Sequence, residues 1–225
     1  MGATAGAFSS AEESTRGDLS LGDPAGETEV PRRALLVERS GLPSDSFDGR
    51  HDYAYASQCT QGRRFGRGSP LTEYFPPCGF DRLGFSVAGY EDQSFMNRAD
   101  GWHVAYHGTD LENIPAILEE GLKPQGGRSR PRHGDLHGRA IYMSPYPEVA
   151  RAFAGKVRVG KQLPDLILQC RVRPGSYTLK NEGRTWLVND TSDVRCHSLL
   201  FLREFVLFDR PFGYAGARVG EGPPG

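Results

Sequence analysis

The chain has 225 residues, of which 24 % are charged and 37 % hydrophobic, and its formal net charge is −1. That balance fits one compact domain with unstructured flanks, and it lacks the basic excess expected of a nucleic-acid or anionic-membrane binder. No apolar run reaches the roughly 20 residues needed for a membrane-spanning helix.

Residues 1–45 are expected to be disordered or loosely attached, because their first thirty are mostly Gly, Ala, Ser, Thr and acidic residues. One apolar patch, Leu35 to Val37, reads as an isolated strand or docking segment. Residues 46–100 are rich in aromatics set among Gly, Pro and Arg without periodicity. They read as an irregular lead-in packed on the main domain, with one strand in "GFDRLGFSV". The mixture of Arg and aromatic residues is assigned to packing rather than to nucleic acid, since Asp and Glu are interleaved.

The pattern sharpens over residues 101–212. "WHVAY" predicts a strand, and "DLENIPAILEE" places Leu111, Ile114, Ile117 and Leu118 at helical spacing. Asp110 is the expected N-cap and Gly121 the stop. Pro115 requires the helix to begin near Ile114 or to have an irregular first turn. "AIYMS" predicts a strand and "PEVARAFAG" a short helix. "DLILQCRV", "RTWLVN" and "SLLFLREFVLF" predict strands, and "GSY" a turn that starts one. Residues 213–225 read as a disordered tail. Strands that follow one another without intervening helices favour an α+β fold with mainly antiparallel sheets.

Cysteines occur at 59, 78, 170 and 196 with no C-x-x-C pair. Zinc is therefore not expected, and with no signal peptide evident the expectation is four reduced thiols in an intracellular protein of the cytoplasm or nucleus. His103, His107, His133 and His137 could suggest a metal cluster, but His133 and His137 lie in a Gly-rich loop with no helix to align them. No metal is expected.

Two stretches carry unusual local chemistry. In "YHGT", His107 ends a strand with ring nitrogens available to a hydroxyl, and Gly108 leaves its backbone open to a flat ligand. In "GRAIYMSP", Tyr142 precedes a turn, and with Phe153 it could clasp a flat ring between two aromatic faces.

In this order and spacing the motifs "HGT", "GLK", "GRAIY", Phe153 and "RTWLV" resemble the diphtheria-toxin-like branch of ADP-ribosyltransferases, which includes the poly(ADP-ribose) polymerases. The likeness covers residues 102–208, just under half of the chain. "RRFGRGSPLTEYFPPCGFDRLGF" is similar to a lead-in of neuralized-like proteins. The resemblance implies an ADP-ribosyltransferase-like α+β fold of split, mainly antiparallel sheets with short flanking helices. It also implies NAD as substrate, with no metal. Gly108 and Thr109 would belong to the motif at the nicotinamide carboxamide. His107 would bind a ribose hydroxyl, and Tyr142 and Phe153 would sandwich the nicotinamide. Lys123 would stand for an Arg on the adenosine side. The arginines of the loop "PQGGRSRPRHGDLHGR" would lie near the pyrophosphate.

Two positions depart from that pattern. Ala150 replaces a Ser that bonds the carboxamide, and Thr185 replaces the Glu that orients a ribose hydroxyl. The implied triad is thus His107, Tyr142 and Thr185, with Glu182 and Glu204 as nearby carboxylates. The expected activity is mono-ADP-ribosyl transfer to a protein acceptor. The alternative is an inactive module of the same fold that binds NAD, ADP-ribose or protein. An RNA 2′-phosphotransferase is disfavoured by the neutral net charge.

Overall fold

The computed structural model describes residues 19–124, 138–154 and 166–203. The architecture is mixed α+β, with mostly antiparallel sheets and few, short helices. A six-stranded sheet forms its centre. Its strands are β2 (Gly26–Glu27), β3 (Tyr53–Tyr55), β6 (Phe80–Gly84), β7 (His103–Gly108), β9 (Leu166–Val172) and β12 (Val194–Leu202). They lie in the order β2-β3-β6-β12-β9-β7, all pairs antiparallel. A second sheet joins β8 (Ile141–Met143), β10 (Tyr177–Lys180) and β11 (Thr185–Val188) in the order β10-β11-β8. The third contains β1 (Leu19–Ser20), β4 (Arg64–Arg67) and β5 (Thr72–Tyr74), with β1 and β4 parallel.

Side chains alternate across each strand, so the central sheet is buried on both faces by two separate clusters. One face presents Ala105, Leu168, Cys170, Val172, Val194 and Leu199, and it joins Ile141, Met143, Trp186 and Val188 of the second sheet. The other presents Val104, Tyr106, Ile167 and Leu200, with Phe65 and Tyr74 of the third sheet. Near-continuous apolar runs such as "LILQCRV" are what burial on both faces demands.

Polar contacts tie the second sheet to β7. The Tyr106 N–H donates to the Ser144 carbonyl at 2.7 Å, and the Ser144 N–H returns a bond to Tyr106 at 3.0 Å. Tyr177 stacks on Trp186 with ring centres 4.2 Å apart, and its hydroxyl meets His103 Nδ1 at 2.7 Å.

Residues 19–45 are built into the fold rather than loosely attached. "RALLVERS" forms helix α1 (Arg33–Ser40), not the strand expected at Leu35 to Val37. Leu36 and Ser40, four apart, face inward, and Gly41 ends the helix at φ 66°. Arg33 Nε donates to the Asp52 carboxylate at 2.6 Å, which fixes α1 to β3. Short-range hydropathy could not show this, because only one large apolar side chain of α1 is fully inside. Residues 46–100 contribute β3 and β6 to the central sheet itself, so residue 101 is not a packing boundary.

Helix α2 (Ile114–Glu120) follows a 3₁₀ turn at Leu111–Asn113, and Pro115 lies in its first turn, where no N–H bond is lost. Helix α3 spans Pro147–Arg151.

The expectation of four thiols is corrected. Cys59 and Cys78 form a disulfide across a separation of 19 residues. They flank the adjacent strands β3 and β6, and that pairing, invisible in linear spacing, brings them together. Cys170 and Cys196 are free and buried. Among the described residues no helix is long and apolar enough to cross a membrane.

Candidate active site

Strand β7 ends at "HG", and the two residues face different ways. His107 shares its face with Ala105 and is 8 % exposed. Its Nδ1 lies 2.9 Å from the Tyr142 carbonyl oxygen. A carbonyl only accepts, so Nδ1 carries the hydrogen and Nε2 keeps its lone pair. Burial lowers the pKa from the ordinary value near 6.5, and the Tyr142 bond opposes this. A neutral imidazole with Nε2 as acceptor suits a hydroxyl donor, such as a ribose hydroxyl.

Gly108 serves two purposes. A Cβ there would fall 2.0 Å from the Ala150 oxygen and 2.7 Å from the Ala154 nitrogen. The glycine therefore admits the backbone of α3 and the turn after it, rather than a ligand, on its side-chain face. That replaces the expectation that its missing Cβ clears room for a flat ring. Its backbone is a separate matter. The register pairs His107 with Leu168 and Gly108 with Ile167, and Tyr106 turns both its N–H and its C=O away from β9 toward Ser144. Antiparallel alternation aims the N–H and C=O of Gly108 at that same outer edge. The close approach of α3 also brings the Phe153 backbone against the side-chain face of Gly108, its carbonyl carbon 2.9 Å from that Cβ. Phe153 is 51 % exposed, which is unusual for a phenylalanine.

Tyr142 sits in β8 opposite Leu187 of β11, and its hydroxyl donates to the Gly138 carbonyl at 2.7 Å. Thr185, two residues before Leu187, shares the Tyr142 face as its diagonal neighbour, roughly 7–8 Å away. The Thr185 hydroxyl accepts from Asn181 Nδ2 at 3.1 Å. Glu182 is exposed in the turn joining β10 to β11, at φ 55°. Glu204 lies outside the described residues, as do Arg128, Arg130 and Arg132.

The remaining expected residues have structural partners. Thr109 is 8 % exposed, and its hydroxyl accepts from Asn113 Nδ2 at 3.2 Å, linking the end of β7 to the start of α2. Lys123 is paired with Glu120, and its side chain is 65 % exposed. Ala150 belongs to the apolar cluster under α3, so the wall there is without a polar anchor. His107, Gly108 and Tyr142 are thus neighbours at one sheet edge, the Phe153 backbone packs against the side-chain face of Gly108, Thr185 lies on the adjoining strand, and Thr109 and Lys123 are engaged locally.

Among the described residues no group of His, Cys, Asp and Glu could hold a metal. His103 is bonded to the Tyr177 hydroxyl and to the Pro70 carbonyl, while His133 and His137 lie outside the described residues. The sequence reading missed a set on the far face of the central sheet: Arg67, Arg82, Arg171 and His197 line a cavity there. The signal was available in "FDRLGF" and "LILQCRV", where an arginine interrupts a buried strand.

Neither a family model nor a curated protein matches this chain.

Proposed function

We propose that the protein is an NAD-dependent mono-ADP-ribosyltransferase acting on a protein acceptor inside the cell, with the ADP-ribosyltransferase fold as its scaffold. The observation that carries the reading is the end of β7. A neutral His107, its Nδ1 hydrogen bonded to the Tyr142 carbonyl so that Nε2 is an acceptor, stands beside backbone N–H and C=O groups of Gly108 that point away from β9. Those groups complement a ribose hydroxyl and a carboxamide, respectively.

In this reading the nicotinamide ring lies against Tyr142 and Phe153, and its carboxamide bonds the Gly108 backbone. The bond from nicotinamide nitrogen to ribose C1′ breaks, and the electron pair leaves with nicotinamide. The acceptor side chain then attacks C1′ and releases its proton to solvent. Orientation and exclusion of water supply the acceleration. Thr185 offers no negative charge to the oxocarbenium ion, so turnover is slow and stops at one unit.

A second reading has its own support. The hydroxyls of Tyr142 and Thr185 are both held by neighbours, which suits a module that binds NAD, ADP-ribose or a protein without turnover. The test is incubation of the full chain with labelled NAD and cell extract, beside His107→Ala and Tyr142→Ala. Covalent label transferred by wild type alone supports the transferase. No transfer, with saturable NAD binding, supports the module. Neither transfer nor binding by folded protein refutes both.

A further inference from the structure

The face of the central sheet opposite His107 carries a cavity of about 290 Å³. Five arginines line it: Arg82 on β6, Arg171 on β9 and Arg67 on β4, with Arg50 and Arg98 from outside the strands. Arg67 and Arg171 are 4 % and 6 % exposed. Burying cations this deeply requires compensation.

The described residues supply little of it. Arg67 has Asp23 at 3.6 Å, but that carboxylate is half exposed and is also shared with Arg98 at 2.5 Å. Asp52 lines the cavity, yet its oxygens are taken by Arg33 and by the Gly84 N–H. Among the described residues no carboxylate lies within ion-pair distance of Arg82 or Arg171. Burial, then the neighbouring charge of Arg67, pulls the pKa of Arg171 down to about 10.

Beside the cavity, buried donors remain without partners. Arg171 spends both terminal nitrogens on the Trp102 and Met96 carbonyls, at 2.9 and 3.3 Å, while its Nε has no partner. His197, at the bulge of β12 and 2 % exposed, has Nδ1 bonded to the Ser198 hydroxyl at 2.7 Å, while its Nε2 has no partner. Arg82 is held by the His51 carbonyl and the Tyr55 hydroxyl, and it stacks over the Tyr53 and Tyr55 rings at 5.4 and 5.7 Å. The aromatic faces orient the cation without neutralising it. Buried donors left without partners are uncommon and need an explanation.

We propose that this cavity binds a phosphate group, free or as a monoester, held by the cationic groups of Arg82 and Arg171 with His197 beside them. Donors arriving from three strands fit a tetrahedral oxyanion better than the planar fork of a carboxylate. The cavity is independent of the NAD reading, because residues facing it alternate with Ala105 and His107 along β7.

The experiment is calorimetric titration of the full chain with inorganic phosphate, phenyl phosphate and citrate, at ionic strength matched with chloride. Saturable binding of phosphate or phenyl phosphate at millimolar concentration or below is expected. Tighter binding of phenyl phosphate identifies a monoester site, and equal or weaker binding identifies free phosphate. Arg82→Gln and Arg171→Met should each weaken binding by about tenfold or more, the loss expected for a charge-assisted bond. Arg82→Gln carries the test if Arg171→Met fails to fold. His107→Ala should leave binding unchanged. No binding by folded wild type, equal binding of citrate, or loss of binding in His107→Ala would overturn the proposal.

Discussion

Gly108→Ala isolates what holds the end of β7 in place. Gly108 does not adopt the left-handed φ that an L-residue resists. On backbone grounds alone, alanine would therefore stabilise the strand by about 0.5–1 kcal/mol. Space reverses the sign. The new methyl would lie 2.0 Å from the Ala150 oxygen, 2.7 Å from the Ala154 nitrogen and 2.9 Å from the Phe153 carbonyl carbon. All three are backbone atoms, so no rotamer change relieves the overlap, and α3 must move away from β7. Overpacking costs about 1–3 kcal/mol, and a rigid backbone obstacle points to the upper end. The net loss should be about 2 kcal/mol. For a chain of this size that lowers Tm by about 4–8 °C. Calorimetry and urea midpoints on wild type and variant would measure it. NAD binding should fall as well, because Phe153 moves with α3. A variant within about 1 °C of wild-type Tm would refute the reasoning and return Gly108 to a purely ligand-facing role.

Three further outcomes are expected. Cys59→Ser or Cys78→Ser removes a crosslink closing a 19-residue separation, worth about 3 kcal/mol by loop entropy. Unfolding that is insensitive to reductant would contradict this, and disulfide mapping of cellular protein under non-reducing conditions would show whether its compartment preserves the bond. Burial lowers the pKa values of His103, His107 and His197 below 6.5. The unfolded chain therefore takes up protons first as pH falls below 6.5, and stability drops there by up to about 1.4 kcal/mol per pH unit for each group that stays neutral in the fold. Urea midpoints from pH 7.5 to 5.5, down through about one unit below the unfolded value, would be level if these histidines were freely protonated. Thr185→Glu should raise NAD-dependent label transfer by about tenfold or more, since a preorganised charge near the reacting carbon is worth at least that. An unchanged rate in a folded variant would separate Thr185 from the ribose.

The elements of residues 102–202 were largely legible, because each repeats its apolar residues at one period and ends at a recognisable stop. Pro115 even located the start of α2, since a proline is harmless in the first helical turn. What escaped depended on distant partners. Helix α1 is specified by Leu36 and by Arg33 reaching Asp52, and the disulfide by the pairing of β3 with β6. The role of Gly108 was half legible: its motif marked the strand end, but only the position of Ala150 shows what occupies the missing Cβ. The arginine cavity was not anticipated, because Arg67, Arg82 and Arg171 are far apart in sequence and converge only when three strands are assembled.

The bridge between Tyr106 and Ser144 has a consequence for how the chain behaves beside copies of itself. Among the described residues β7 is the last strand of its sheet, and an outermost strand exposes a row of donors and acceptors that another chain can zip onto. Midway along that row, both groups of Tyr106 are spent on Ser144. An incoming strand would find its register broken there and could not form a continuous ladder past Gly108. The fastening that joins two sheets thus also keeps the mouth of the candidate site from becoming a seed for polymerisation.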